Sequence, residues 1–70
     1  MTLERLIEEA LMTKIEVANE AGLSAGTVSR MVNGRKVARL SALKVLYVLG
    51  QKLGRRIDIS EIEGLDLSDD

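Results

Sequence analysis

"AGLSAGTVSRMVNG", residues 21–34, places three glycines, two serines, a threonine and an asparagine in the middle of a 70-residue chain. These are poor helix formers, yet Val28, Met31 and Val32 recur through them at helical spacing. A step of roughly 100° per residue puts Ala25, Val28, Met31 and Val32 on one side, and Gly26, Thr27, Ser29, Arg30 and Asn33 on the other. The expected helix, Ala25 to about Val32, is therefore amphipathic, but its outer face is short, polar and glycine-bearing. Small side chains let a helix sit close in a groove, while Ser, Thr, Asn and Arg can meet base edges and phosphates.

Working outward, Ser24 is a good N-cap for this helix and Asn33-Gly34 is a stop. Upstream, Thr13 and Glu16 have capping-box spacing, which predicts a helix from Lys14 with Ile15, Val17, Ala18 and Ala21 turned inward and Gly22 as its end. Only a few residues separate the two helices. Further upstream, Leu3, Leu6, Ile7, Ala10 and Leu11 fall at i, i+3, i+4, i+7 and i+8 with glutamates opposite, predicting a first helix over residues 2–12 capped by Thr2. Downstream, a basic loop leads to a fourth helix, Ser41 to Leu53, apolar nearly all round and thus expected at the centre, with Gly54 as its cap. "VLYVL" alone also fits a buried strand, but the surrounding pattern favours helix.

The tail carries two competing patterns. Arg56, Ile57, Asp58 and Ile59 alternate as a half-buried strand would, whereas Ser60 and Glu63 have the spacing to cap a short helix over Ile62 and Leu65. The expectation is an extended connector followed by that helix, with residues 66–70 as a frayed acidic end.

Composition narrows the class. A chain of this length is one domain that buries only roughly 60–65% of its unfolded surface, and its apolar set is almost entirely aliphatic, with Tyr47 the one aromatic and no proline. This favours packed helices over a sandwich or barrel. Without cysteine or histidine, disulfides, thiolate or imidazole metal sites and the usual general base are excluded, and neither a cofactor nor an enzymatic activity is expected. No nucleophile-base pair or phosphate-cradling loop is present either. No apolar run approaches the roughly 20 residues of a membrane span, and the glutamate-bearing start does not resemble a secretion signal. A cytoplasmic protein is expected.

The net charge of −1 conceals a segregation: residues 1–12 carry −2, residues 13–56 carry +7 and residues 57–70 carry −6. A basic middle suits a polyanion, because neutralising phosphates releases counterions; it equally suits a solvated surface.

Residues 14–34 resemble the helix-turn-helix pattern, with Ala18 small in the first helix, Gly22 in the turn, Leu23 after it, and Val28 and Met31 on the second helix. Ala18 lets the helices approach, Gly22 takes the tight turn, and Val28 and Met31 seat the recognition helix on the core. "VANEAGLSAGTVSRMVNG" also resembles the start of the lactose-repressor family, where the motif opens the chain. Here a full amphipathic helix precedes it and a hydrophobic helix follows, which is similar to the lambda-repressor and Cro-type family over residues 3 to about 65.

That resemblance implies an all-α fold, a compact four- to five-helix bundle over residues 1–65 with its helix-turn-helix at 14–33. It implies a transcriptional regulator, most simply a repressor, reading double-stranded DNA in the major groove. By position, Lys14 contacts phosphate or braces the recognition helix. Ala25, Gly26 and Thr27 match the base-reading start of that helix, where Ala25 and Gly26 offer only apolar contact, for example to a thymine methyl. Ser24 is a cap that also favours a nearby phosphate. Ser29 and Arg30 match the next outward positions, with Arg30 suited to guanine, and Asn33, Arg35 and Lys36 match the loop that grips the backbone. Arg55 and Arg56 fit phosphate contacts, interface charges or solvated charges equally.

One such helix touches too few base pairs to be selective, so a homodimer is expected. Its surface is assigned to Ile57, Ile59, Ile62, Leu65 and Leu67, more apolar surface than a terminal segment normally exposes. Two alternatives remain: an antitoxin that binds its operator and holds a toxin through its tail, and a helical protein-interaction module that does not bind DNA.

Overall fold

A computed structural model describes residues 1–68 of the 70. Four helices, α1 (Leu3–Glu9), α2 (Lys14–Ala21), α3 (Ala25–Val32) and α4 (Arg39–Leu53), enclose one core. Two three-residue strands, β1 (Lys36–Ala38) and β2 (Asp66–Ser68), and a 3-10 turn, Ile59–Glu61, complete it. The all-α expectation holds for the bundle, and the fifth helix is reduced to that single turn.

Local hydrogen bonds start and stop the first three helices. The Thr2 hydroxyl accepts from the Arg5 amide, Thr13 and Glu16 form a reciprocal capping box, and Ser24 accepts from the Thr27 amide. Gly22 takes the left-handed conformation at φ 71°, and the Leu23 amide closes on the Ala18 carbonyl at 2.8 Å. A side chain at position 22 would strain that turn.

Leu6, Val17, Val28, Met31, Val45 and Leu49 form the centre of the core, with Ala18 buried where α2 approaches its neighbours. Two residues of the first two helices that were expected in the core are not in it. Ile15 is 62% exposed, because its position on α2 turns past the buried stripe of Val17 and Ala18. Leu11 is 89% exposed, because α1 ends at Glu9 rather than residue 12. Leu11 itself occupies the left-handed position at φ 57°, its amide bonding to the Glu8 carbonyl and the Met12 amide to that of Ile7. A helical stripe does not continue through such a turn.

The C-terminal segment departs furthest from its sequence pattern. The capping box forms at Asp58 and Glu61, not at Ser60 and Glu63, and nucleates the 3-10 turn. Strand geometry appears at Asp66–Ser68 rather than over Arg56–Ile59, and it pairs in parallel with Lys36–Ala38. Residues 66–68 are thus ordered by a partner strand thirty positions upstream, as the register Lys36↔Asp66 gives; Asp69 and Asp70, the rest of the expected frayed end, lie outside the described residues. Glu63 bridges to Thr2, and its amide donates to the Met1 carbonyl at 2.8 Å.

These contacts draw the tail's apolar side chains inward. Ile57 and Ile62 are buried, and Ile59, Leu65 and Leu67 pack against the same core. The side chains assigned to a dimer surface are therefore occupied within their own chain. Conversely, α4 is not buried all round: Leu40, Leu43 and Tyr47, at i, i+3 and i+7, are 62%, 44% and 69% exposed.

Candidate nucleic-acid interface

The α2–α3 turn decides how α3 is presented. Val28 and Met31 are buried, which anchors one side of α3 and turns the other outward. Ser24, Ala25, Gly26, Arg30 and Asn33 are exposed on that outward side, with Thr27 and Ser29 half-buried at its margins. Ala25, expected on the inner side, is at the exposed first position of α3, where the helix has not yet reached the core.

Three of these side chains form a connected group. The Arg30 Nη2 donates to Thr27 Oγ1 at 3.2 Å, and the Thr27 and Ser24 hydroxyl oxygens are 2.9 Å apart. Ser24 Oγ also accepts the Thr27 amide at 3.1 Å. Among the described residues no carboxylate pairs with Arg30, so its charge is uncompensated on this face.

The loop after α3 is tied back to it. The Gly34 amide bonds to the Met31 carbonyl at 3.2 Å and the Arg35 amide to that of Arg30 at 2.9 Å. Lys36 then enters β1, leaving Arg35 and Lys36 exposed at the end of α3. Lys14 is half-buried at the first position of α2. Thus the structure gathers Ser24 through Asn33 on one face and continues it into Arg35 and Lys36, while Lys14 stands on the neighbouring helix. Arg55 is drawn away instead, to a 3.2 Å ion pair with Glu61.

Two features were not legible in the sequence. Asp66 lies opposite Lys36 in the strand pair, so an acidic residue sits beside the basic loop; a pairing across thirty residues has no local signature. The exposed apolar face of α4 was hidden in a helix too hydrophobic to reveal which side is covered.

A polar helix face without acidic residues, seated by a tight turn on a preceding helix and continued by a basic loop, is the working part of a helix-turn-helix DNA-binding domain. The chain matches the family model of the Cro/C1-type HTH DNA-binding domain over residues 2–64, nearly its whole length, and belongs to that family. No curated protein and no solved structure matches it. Among the described residues no helix is long and apolar enough to cross a membrane, and no cluster of acidic, cysteine or histidine side chains is suited to hold a metal ion.

Proposed function

We propose that this protein is a transcriptional repressor that binds an operator in double-stranded DNA as a homodimer, with α3 in the major groove. The observation that carries this reading is the outer face of α3, where Arg30 stands exposed among small polar groups and, among the described residues, has no carboxylate partner. Ala25 and Gly26 leave the first turn low enough to approach base edges, and Arg30 supplies the bidentate donor set that guanine accepts. The amides of that turn and the Ser24 cap favour a phosphate at the helix start. Lys14 supports the same reading: a cation at the positive end of α2 costs helix stability, and a bound phosphate there would offset it. Asn33, Arg35 and Lys36 are the backbone-gripping loop. A domain that does no more than occupy its site can block transcription by doing so, which is the basis for assigning repression.

For the dimer surface, the exposed α4 side chains Leu40, Leu43 and Tyr47 replace the tail residues that the core has taken. Glu20 and Lys44 border a shallow groove lined by Leu40, Leu43 and Tyr47. In a two-fold contact, a Glu20 that meets Lys44 of the second copy has its pairing repeated with the roles of the copies exchanged. Sedimentation velocity checks this. Leu43→Glu should convert a dimer to a monomer, whereas unchanged mass in wild type and variant would remove α4 from the interface.

DNA binding is tested by fluorescence anisotropy of labelled random-sequence duplex at several salt concentrations, with Arg30→Ala in parallel. Affinity should fall steeply with salt, and the variant should bind roughly 1–3 kcal/mol more weakly to a selected site. Absence of binding at low salt would favour a protein-interaction module.

A further inference from the structure

The reading of α3 as a DNA-contacting face leaves open what holds Arg30 there. A free arginine samples many rotamers, and ordering such a side chain on binding weakens affinity. In this structure the Arg30 side chain runs back one turn along α3, and its Nη2 reaches Thr27 Oγ1 at 3.2 Å. Thr27 is fixed in turn by Ser24, whose hydroxyl oxygen is 2.9 Å from that of Thr27 and accepts the Thr27 amide at 3.1 Å. Gly26 stands beside this arrangement: a Cβ there would lie 3.7 Å from Arg30 Nη1 and 3.9 Å from Ser24 Oγ. An alanine Cβ there makes ordinary van der Waals contact with both atoms.

We propose that Thr27 is a positioning residue that preorganises Arg30 for DNA, with Ser24 as its support. This rests on the DNA-binding reading given above. Arginine only donates, so Thr27 Oγ1 is the acceptor in that bond, and either hydroxyl can donate in the Ser24–Thr27 contact. One of the five guanidinium N–H groups is used and four remain for a base or phosphate. Thr27 therefore contributes to guanine preference without itself contacting a base.

The test has two arms. In the free protein, 15N relaxation of the Arg30 Nε–H group should report an ordered side chain in wild type and in Thr27→Ser. A mobile one is expected in Thr27→Val and in Thr27→Ala, the second variant guarding against a folding defect in the first. Equal mobility in all four would overturn the positioning role whether or not DNA binds. In the second arm, anisotropy on a duplex selected by the wild type forms a double-mutant cycle. Thr27→Val should weaken binding roughly 3- to 10-fold, the scale of ordering one long side chain, and should add no further loss to Arg30→Ala. Thr27→Ser should bind like the wild type. The same loss in both backgrounds would mean that the Thr27 hydroxyl contacts DNA directly, and would overturn the proposal while leaving the DNA reading intact. Failure of the wild type to bind any duplex would overturn both.

Discussion

Residues 13–34 and residues 54–68 are both built from short capped turns, but they close their hydrogen bonds over very different distances. In the first region every cap is local: Thr13 with Glu16, Gly22 and Leu23 with the end of α2, Ser24 with Thr27, and Gly34 and Arg35 with the end of α3. The second region is held by remote parts of the chain. Glu63 meets Met1 and Thr2, and β2 pairs with β1, beyond the local closure of Arg55 on Gly50 at the end of α4. Local closure costs little chain entropy, whereas remote closure is favourable only once the core has brought both partners together. The face assigned to DNA is thus formed by self-contained turns, and the tail depends on the body that it clasps.

The largest effect that sharpens this contrast is expected at Gly50. A Cβ at this buried position would stand 2.6 Å from the Arg55 carbonyl oxygen, a backbone atom that cannot move without shifting the whole segment. Gly50→Ala should destabilise the fold by about 1–3 kcal/mol despite alanine's better helix propensity. Amide exchange should accelerate first in residues 55–68; unchanged stability would mean that the segment is not held against α4. In the other region, Thr13→Ala removes one half of the α2 capping box and should cost about 0.5–2 kcal/mol in denaturant melts. Its effect on the tail should come only through global unfolding. Gly26→Ala should have the opposite sign to Gly50→Ala: nothing lies closer than 3.7 Å to the added carbon, so stability should rise by up to about 1 kcal/mol. A loss at Gly26 would show that α3 is crowded at that position.

The differing closure also explains what could be read from the sequence. Thr13-x-x-Glu16, Ser24 before Val28 and Met31, and Gly22 each carry their partner within a turn of helix, so α2 and α3 and the outward set from Gly26 to Asn33 were legible with their boundaries. The Ser24–Thr27–Arg30 connection was not, because spacing gives neighbours but not rotamers. In the tail, Asp58-x-x-Glu61 competes with Ser60-x-x-Glu63, and the choice is made by Arg55 reaching Glu61 and by Met1 receiving Glu63. No local pattern contains those partners. Leu11 was misplaced because a stripe of apolar residues does not reveal where a helix stops, and Ile15 because it lies off the stripe that Val17 and Ala18 bury.

The smallest predicted effect is on pH. Asp58 is held below the ordinary aspartate value by the amide and hydroxyl of Ser60, and Glu61 below the ordinary glutamate value by the Asp58 amide and the Arg55 guanidinium. Folded values lower than unfolded ones mean that this stabilisation is present above the carboxylate range. It is lost as pH falls through the lowered values. The Asp58 and Ser60 amide resonances should therefore shift on acidification, while that of Thr27, capped by a hydroxyl that does not titrate in this range, should stay in place. Parallel movement of all three would indicate one global acid transition.

The most direct test of the central claim is amide chemical-shift mapping of the labelled protein titrated with duplex DNA. The largest changes are expected over Ser24 to Arg30, continuing into Asn33, Arg35 and Lys36, with the exposed α4 residues Leu40, Leu43 and Tyr47 unaffected by DNA. Changes centred on α4 with a silent α3 would contradict it.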